Sequence, residues 1–254
     1  MLGAGGKLGR LLRPVFPRAA RWLSRAELDI RDHDSMRASL SGADAVICMA
    51  GVTHASAGAM EGNINLALQV LEAARDVGAG HVLLMSSAAV YGRNSALLSE
   101  DGPVAPASEY GAAKLAMERA AAAHAHPSTS LRLGNVAGAD AILGAWRPGF
   151  RLDQFPDGST PRRSYIGPHA LARTLAALAG VTALPPVLNI AASGTVQMGD
   201  LLDHAGLAWT VRPATPRSIP IVNLDTGRLQ SFTEFKPCES TPEGIVEDWQ
   251  NRLT

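Results

Sequence analysis

His81-Val82-Leu83-Leu84-Met85-Ser86-Ser87 is the stretch that decides the fold. Four apolar residues in a row, without alternation, describe a strand buried on both faces. Such strands belong to parallel sheets covered by helices. The run closes on two hydroxyls. Open α/β sheets hold ligands at the carboxyl ends of their strands, so Ser86 and Ser87 stand where a substrate oxygen would be held.

Outward from this strand the same grammar repeats. Residues 21–24, 44–50, 130–133 and 187–190 read as further strands. Residues 7–18, 62–77, 110–125 and 168–179 read as helices. Strands joined through helix-length crossovers run parallel. The fold class is therefore α/β, a doubly wound parallel sheet. After Gly138, Pro, Gly and Arg become frequent and periodicity fades through Pro168, which reads as irregular, substrate-side structure. A final helix is expected over 242–252, with Pro242 in its first turn.

Tyr110 and Lys114 are four apart in the helix that follows the serine strand. That spacing sets both side chains on one helix face. A phenol titrates near ~10, too high for free acid/base work near neutrality, and a neighbouring ammonium favours the phenolate. Tyr110 is thus the candidate acid/base, Lys114 its electrostatic partner, and Ser87 the hydroxyl that holds the substrate oxygen.

Gly3-Ala4-Gly5-Gly6-Lys7-Leu8-Gly9 supplies the other half of the chemistry. Glycines three apart let a backbone turn tightly and approach a pyrophosphate, and the helix that follows aims N–H groups at the anion. At the end of the next strand, Ser24 and Arg25 offer a hydroxyl and a cation where an acidic residue would favour NAD. This leans the expected cofactor to NADP over NAD, with Asp29 close enough to serve a ribose or adenine. Residues 1–138 are read as the dinucleotide-binding core. Residues 139–254 are read as a mixed region that completes the sheet and forms a small substrate-binding lobe. Only Met1 and Leu2 precede Gly3. The strand that normally leads into such a loop is expected to lie upstream or to have been lost, and cofactor binding by the chain as written is expected to be poor.

Taken together, these motifs resemble the extended short-chain dehydrogenase/reductase family, also called the NAD-dependent epimerase/dehydratase family. Residues 3–9 are similar to its Gly-x-x-Gly-x-x-Gly loop. Ser86-Ser87-Ala88-Ala89-Val90-Tyr91-Gly92 is similar to its serine motif, and Tyr110-Gly111-Ala112-Ala113-Lys114 to its Tyr-x-x-x-Lys. Leu131-Arg132-Leu133-Gly134-Asn135 resembles the segment leading into the substrate pocket, Ala50-Gly51 the strand end at the nicotinamide, and Asn65 the family's helix asparagine. Gly6-Lys7-Leu8-Gly9-Arg10 and the short link over 25–32 look more like the dTDP-4-dehydrorhamnose reductases. The resemblance implies a Rossmann-like sheet and catalysis by Ser87, Tyr110 and Lys114. It implies cofactor contacts from Gly3, Gly6, Lys7, Leu8, Gly9, Ser24, Arg25, Asp29, Ile30, Ala50, Gly51, Tyr110 and Lys114. It implies substrate contacts from Ser87, Asn135 and Arg163.

The expected activity is oxidoreduction or epimerisation at a hydroxyl or keto group of a carbohydrate. The substrate is a sugar, sugar acid or nucleotide sugar; residues 139–163 are short for a nucleotide-sugar pocket, and Ile166-Gly167-Pro168-His169-Ala170 replaces the usual Ile/Val-His-Val-x-Asp. The alternative is a non-catalytic dinucleotide-binding regulator or assembly factor. With 23 basic against 23 acidic residues, no charge excess draws in nucleic acid or an anionic membrane surface. No apolar run reaches the ~18 residues that span a bilayer. Two cysteines, Cys48 in an apolar strand and Cys238, give no disulfide framework, and a cytoplasmic location is expected. His33, His54, His124 and His126 are scattered without metal-ligand spacing, so no metal is expected. Small-residue surfaces on 62–77 and 110–125 suit pairing of two copies as a homodimer.

Overall fold

The structure, a computed structural model, describes residues 1–29, 32–51 and 59–251. Its central sheet is parallel throughout, in the order β1 (Ala45–Cys48), β2 (His81–Ser87), β3 (Ser128–Leu133), β4 (Val187–Ile190). Helices cover both faces: α1 (Lys7–Leu12) and α5 (Pro168–Leu178) on one, α2 (His33–Leu40), α3 (Ala59–Asp76) and α4 (Glu109–Ala122) on the other. The two cores show how β2 joins them. Val82 and Leu84 pack with Met36, Val70, Leu71 and Met117. Leu83 and Met85 pack with Leu11, Leu12, Leu171 and Leu175. Successive side chains of one strand point to opposite faces, so an unbroken apolar run fills two layers at once.

Expected and observed elements differ where local backbone chemistry intervenes. The strand expected over 21–24 shrinks to one bridged residue. Leu2 pairs in parallel with both Leu23 and Cys48, donating its N–H to Ile47 O at 2.8 Å and accepting from Met49 N at 2.9 Å. The ladder stops at Gly3, whose φ of 89° turns the chain away. The helix expected over 7–18 is α only to Leu12 and continues as a 3-10 turn, Arg13–Val15. Pro14 lacks an N–H and its ring crowds the carbonyl four residues back. Sequence periodicity also missed α2, which begins where the Asp32 carboxylate accepts the N–H groups of Asp34 and Ser35.

The stretch after Gly138 is more ordered than its composition suggests. Short strands Arg151–Gln154, Arg162–Arg163 and Tyr165–Ile166 form there. They pair with segments distant in sequence: Thr210–Pro213, Ile221–Leu224 and Asn135–Val136. Pairing with remote partners leaves no local period to read. A third core of Ile142, Leu143, Leu152, Tyr165, Leu201, Leu202, Ile245 and Val246 lies beneath this region. Cys48 is buried in β1 and Cys238 is exposed. Among the described residues no helix is long and apolar enough to cross a membrane.

Candidate active site

The glycine turn, the residues after Leu23 and the end of β1 enclose a cleft of about 480 Å³. Gly3, Gly5, Gly6, Ser24, Arg25, Ala50 and Gly51 line it. The glycines serve two purposes. A Cβ on Gly3 would lie 2.6 Å from Ala50 N, and one on Gly9 2.5 Å from Ala4 O, so these two are bare because protein backbone presses on them. At Gly5 a Cβ would meet only Ser24 Cβ, at 3.6 Å. Its bareness leaves free volume in the cleft rather than room for the protein itself, which is the fit a closely held pyrophosphate requires. Lys7 opens α1 at the surface, and Leu8 packs on the core beneath the turn. Asp29 is exposed, does not line the cleft, and has its carbonyl bonded to Asp32 N–H. Ile30 lies outside the described residues.

One carboxylate in the turn beside the cleft escaped the sequence reading. Glu27 Oε2 accepts the Ser24 N–H at 2.7 Å, and this bond holds the exposed carboxyl below the usual range. An anion therefore stands in the turn that walls the cleft. The lean toward NADP finds no support: the Arg25 cation shares its turn with the Glu27 anion. The Ser-x-x-Glu spacing of a reach-back cap was the available signal.

Gly51 links the cleft to the catalytic candidates. A Cβ there would come within 3.1 Å of both Lys114 Nζ and Asn63 Oδ1. Lys114 is buried on α4 and donates to Met85 O at 2.8 Å and to Asn63 Oδ1 at 3.3 Å. The helix asparagine is thus Asn63, buried, and not Asn65, which is exposed two residues on. In a helix a shift of two turns a side chain to the opposite face, and the inward face of α3 could have been read from Ala67 and Val70.

Ser87 closes β2, half-buried, with its Oγ accepting the Ala89 N–H at 3.2 Å. Its hydroxyl lies near the half-buried Tyr110 phenol and acts on its titration. Burial pushes the Tyr110 phenol above its ordinary value, and the nearby Ser87 hydroxyl pulls it partly back. Lys114 Nζ lies 6.0 Å from the centre of the Tyr110 ring. Burial also lowers the Lys114 ammonium, opposed by Cys48 and Glu118. The lowered phenol expected from sequence is not what these surroundings give: desolvation outweighs the favourable contacts.

Beneath Ser87 and Lys114 runs a buried polar network. Ser86 Oγ donates to Glu118, and Arg132 grips both Glu118 oxygens, at 2.8 Å from its Nη2. Arg132 also donates to Tyr91 Oη at 2.9 Å, which donates to Asn189 Oδ1 at 2.8 Å. Arg132 and Glu118 are each 5% exposed, and each satisfies the other's charge.

Asn135 lies two residues beyond Leu133, the register partner of Ser87, and so reaches the same sheet edge. Arg163 does not offer a free guanidinium. It donates to Arg162 O at 2.7 Å and to Ile219 O at 2.9 Å.

A parallel sheet of this order holds a glycine-walled cleft leading to Ser87, Tyr110 and Lys114 at its strand ends, where open α/β sheets bind ligands. The model of the NAD dependent epimerase/dehydratase family matches residues 8–147, more than half of the chain, and the chain belongs to that family. It is 40% identical over 87 residues to a UDP-glucose 4-epimerase of Corynebacterium glutamicum, covering 32% of this chain and 26% of that protein. It is 33% identical over 129 residues to a UDP-glucose 4-epimerase of Streptomyces lividans, covering 44% and 38%. The matched segments thus span well under half the length of these relatives. Among solved structures, a UDP-glucose-4-epimerase from Stenotrophomonas maltophila with bound NAD and formylated UDP-arabinopyranose superposes with a TM-score of 0.79. It is 17% identical and the match covers 99% of this chain and 97% of that one.

Proposed function

We propose that the chain is an NAD-dependent epimerase-type oxidoreductase acting on a sugar hydroxyl of a nucleotide sugar. The observation that carries this reading is buried Lys114, 6.0 Å from the centre of the Tyr110 ring, with Ser87 close to the phenol, joined to a glycine-walled cleft through Gly51. Family membership and the UDP-glucose 4-epimerase relatives support the substrate class. The Glu27 carboxylate favours NAD over NADP.

In this mechanism Gly3, Gly5 and Gly6 would hold the pyrophosphate of NAD, and Ser24 would meet its adenosine ribose. NAD, when bound, would supply the hydride acceptor and donor that reversible oxidation of a sugar carbon needs. Ser87 holds the reacting sugar oxygen. Tyr110 takes the hydroxyl proton as the carbon–oxygen bond becomes a carbonyl, and gives it back when the carbonyl is reduced. Two of the three Lys114 N–H donors are committed to Met85 O and Asn63 Oδ1. The third is available for a ribose hydroxyl of the cofactor. Asn135 contacts the sugar.

The test is an epimerisation assay on UDP-glucose and related nucleotide sugars, with NAD and NADP affinities measured alongside. Wild-type protein is expected to interconvert epimers and bind NAD more tightly than NADP. Tyr110→Phe is expected to lose at least ~10²-fold in turnover while keeping its NAD affinity. Tight NAD binding without turnover of any nucleotide sugar would instead favour a dinucleotide-binding regulator, and near-normal turnover by Tyr110→Phe would remove Tyr110 from its role.

A further inference from the structure

The Asn135 amide is oriented by a relay of two residues that the mechanism above does not use. Asn135 Nδ2 donates to Tyr165 Oη at 3.2 Å, and Tyr165 Oη donates to Asp140 Oδ2 at 2.6 Å. Asp140 Oδ1 in turn accepts the N–H groups of Leu143, at 3.1 Å, and Gly144, at 2.9 Å. The order of donors is forced. A carboxylate only accepts, so the phenol spends its one proton on Asp140 and meets Asn135 with a lone pair. Only the amino end of the amide can satisfy that lone pair. The same logic fixes which end of Asn135 is oxygen.

The relay is rigid. Tyr165 is 2% exposed, and its ring is packed among Ala137, Ile142, Leu143 and Val196. The Asn135 backbone is pinned by its N–H to Ser164 O at 2.9 Å and by parallel pairing with Tyr165. Asn135 Oδ1 has no partner among the described residues, and the side chain is half-exposed at the sheet edge that carries Ser87.

We propose that Tyr165 and Asp140 are positioning residues that turn the Asn135 carbonyl oxygen toward the substrate, so that Asn135 reads a hydrogen-bond donor on it. Resting on the function proposed above, the feature read is a hydroxyl of the sugar ring and not an oxygen of the diphosphate. Diphosphate oxygens accept only, and gain nothing from a carbonyl.

Changing either member of the relay undoes the orientation of the amide. Tyr165→Phe keeps the ring and its packing but deletes the hydroxyl. Asp140→Asn is isosteric yet reverses the relay. Its oxygen stays on the Leu143 and Gly144 N–H groups, and its amino group donates to Tyr165. The phenol proton then passes to Asn135 Oδ1, and the amide presents its N–H₂ outward. A residue needed only for packing would tolerate this isosteric change.

The experiment measures UDP-glucose, UDP and NAD affinities by calorimetry, and KM and kcat by the epimerisation assay. Both Tyr165→Phe and Asp140→Asn are expected to weaken UDP-glucose about tenfold in Kd and KM, the scale of one net hydrogen bond. Affinity for UDP, which lacks the sugar, for NAD, and kcat are expected within about twofold of wild type. Equal weakening of UDP and UDP-glucose, or weakening of neither, would overturn the proposal. A second measurement stands apart from activity. The Asn135 side-chain amide signals, identified in ¹⁵N-labelled protein by their loss in Asn135→Asp, should exchange with solvent faster in Tyr165→Phe. Unchanged exchange would overturn the relay by itself. Failure of wild-type protein to bind any nucleotide sugar, with the exchange difference intact, would overturn the substrate assignment and leave the positioning intact.

Discussion

At the scale of single residues, burial sets the protonation of the site. Tyr110 and Lys114 are pushed in opposite directions, the phenol up and the ammonium down, and both shifts favour the neutral form. The folded state therefore binds fewer protons at Lys114 than the unfolded chain does, in the window between the lowered pKa and about 10.5. Stability must rise with pH across that window, because the unfolded state holds the extra proton. Lys114→Met removes this contribution. The free-energy difference between wild type and Lys114→Met is expected to shift in favour of wild type as pH climbs from 7 toward 10. Cys48 and Tyr110, whose raised pKa values give the opposite slope, are common to both proteins. Urea unfolding at several pH values measures this, and a difference that stays constant with pH would contradict it. The variant is also expected to lose at least ~10²-fold in turnover. Ser87, Tyr110 and Lys114 could be singled out because residue type and spacing alone suggest their chemistry. Asn63 and Glu27 were not singled out, since each matters through a hydrogen bond that only folding creates.

At the scale of elements, the strand whose apolar run is continuous could be read almost to the residue, as β2 was. Where pairing is one residue deep, as at Leu2 and Leu23, or made with remote segments, as at Arg162–Arg163, no local pattern exists to read. The glycine turn separates two demands that a motif alone merges. Gly3→Ala forces a side chain into the left-handed region and onto Ala50 N, and is expected to cost roughly 1–3 kcal/mol or more in stability. Gly5→Ala meets only an ordinary contact with Ser24 Cβ, and is expected to leave stability within about 0.5 kcal/mol of wild type. Its new methyl group enters the cleft, so NAD affinity is expected to fall at least about tenfold. Thermal unfolding and NAD titration of the two variants distinguish these outcomes. A Gly5→Ala protein that binds NAD normally would place the pyrophosphate elsewhere.

Across the whole molecule, the Glu118–Arg132–Tyr91–Asn189 network ties the floor of the site to the far side of the sheet. Asn189 Nδ2 continues it to Leu98 O at 2.8 Å and Asp225 O at 3.0 Å. Five segments distant in sequence thus meet on a few buried polar atoms. The family resemblance placed Arg132 only within a motif; its buried partners come from helix, loop and strand, and no single stretch of sequence announces them. The parallel sheet was legible from one strand outward, while the substrate-side lobe, held by long-range pairs, was not.

The two cysteines, finally, differ in more than burial. Cys48 sits 2% exposed in β1 with its thiol pushed up by desolvation, while Cys238 stands exposed near the C-terminal helix Pro242–Asn251. Thiolate, not thiol, reacts with electrophiles. Native protein treated with a maleimide near pH 7 is therefore expected to take one label, at Cys238, and a second only after unfolding; mass spectrometry of the labelled peptides checks this. The fold has in effect supplied a single addressable handle, and a fluorophore or spin label can be attached there without altering a residue of the site.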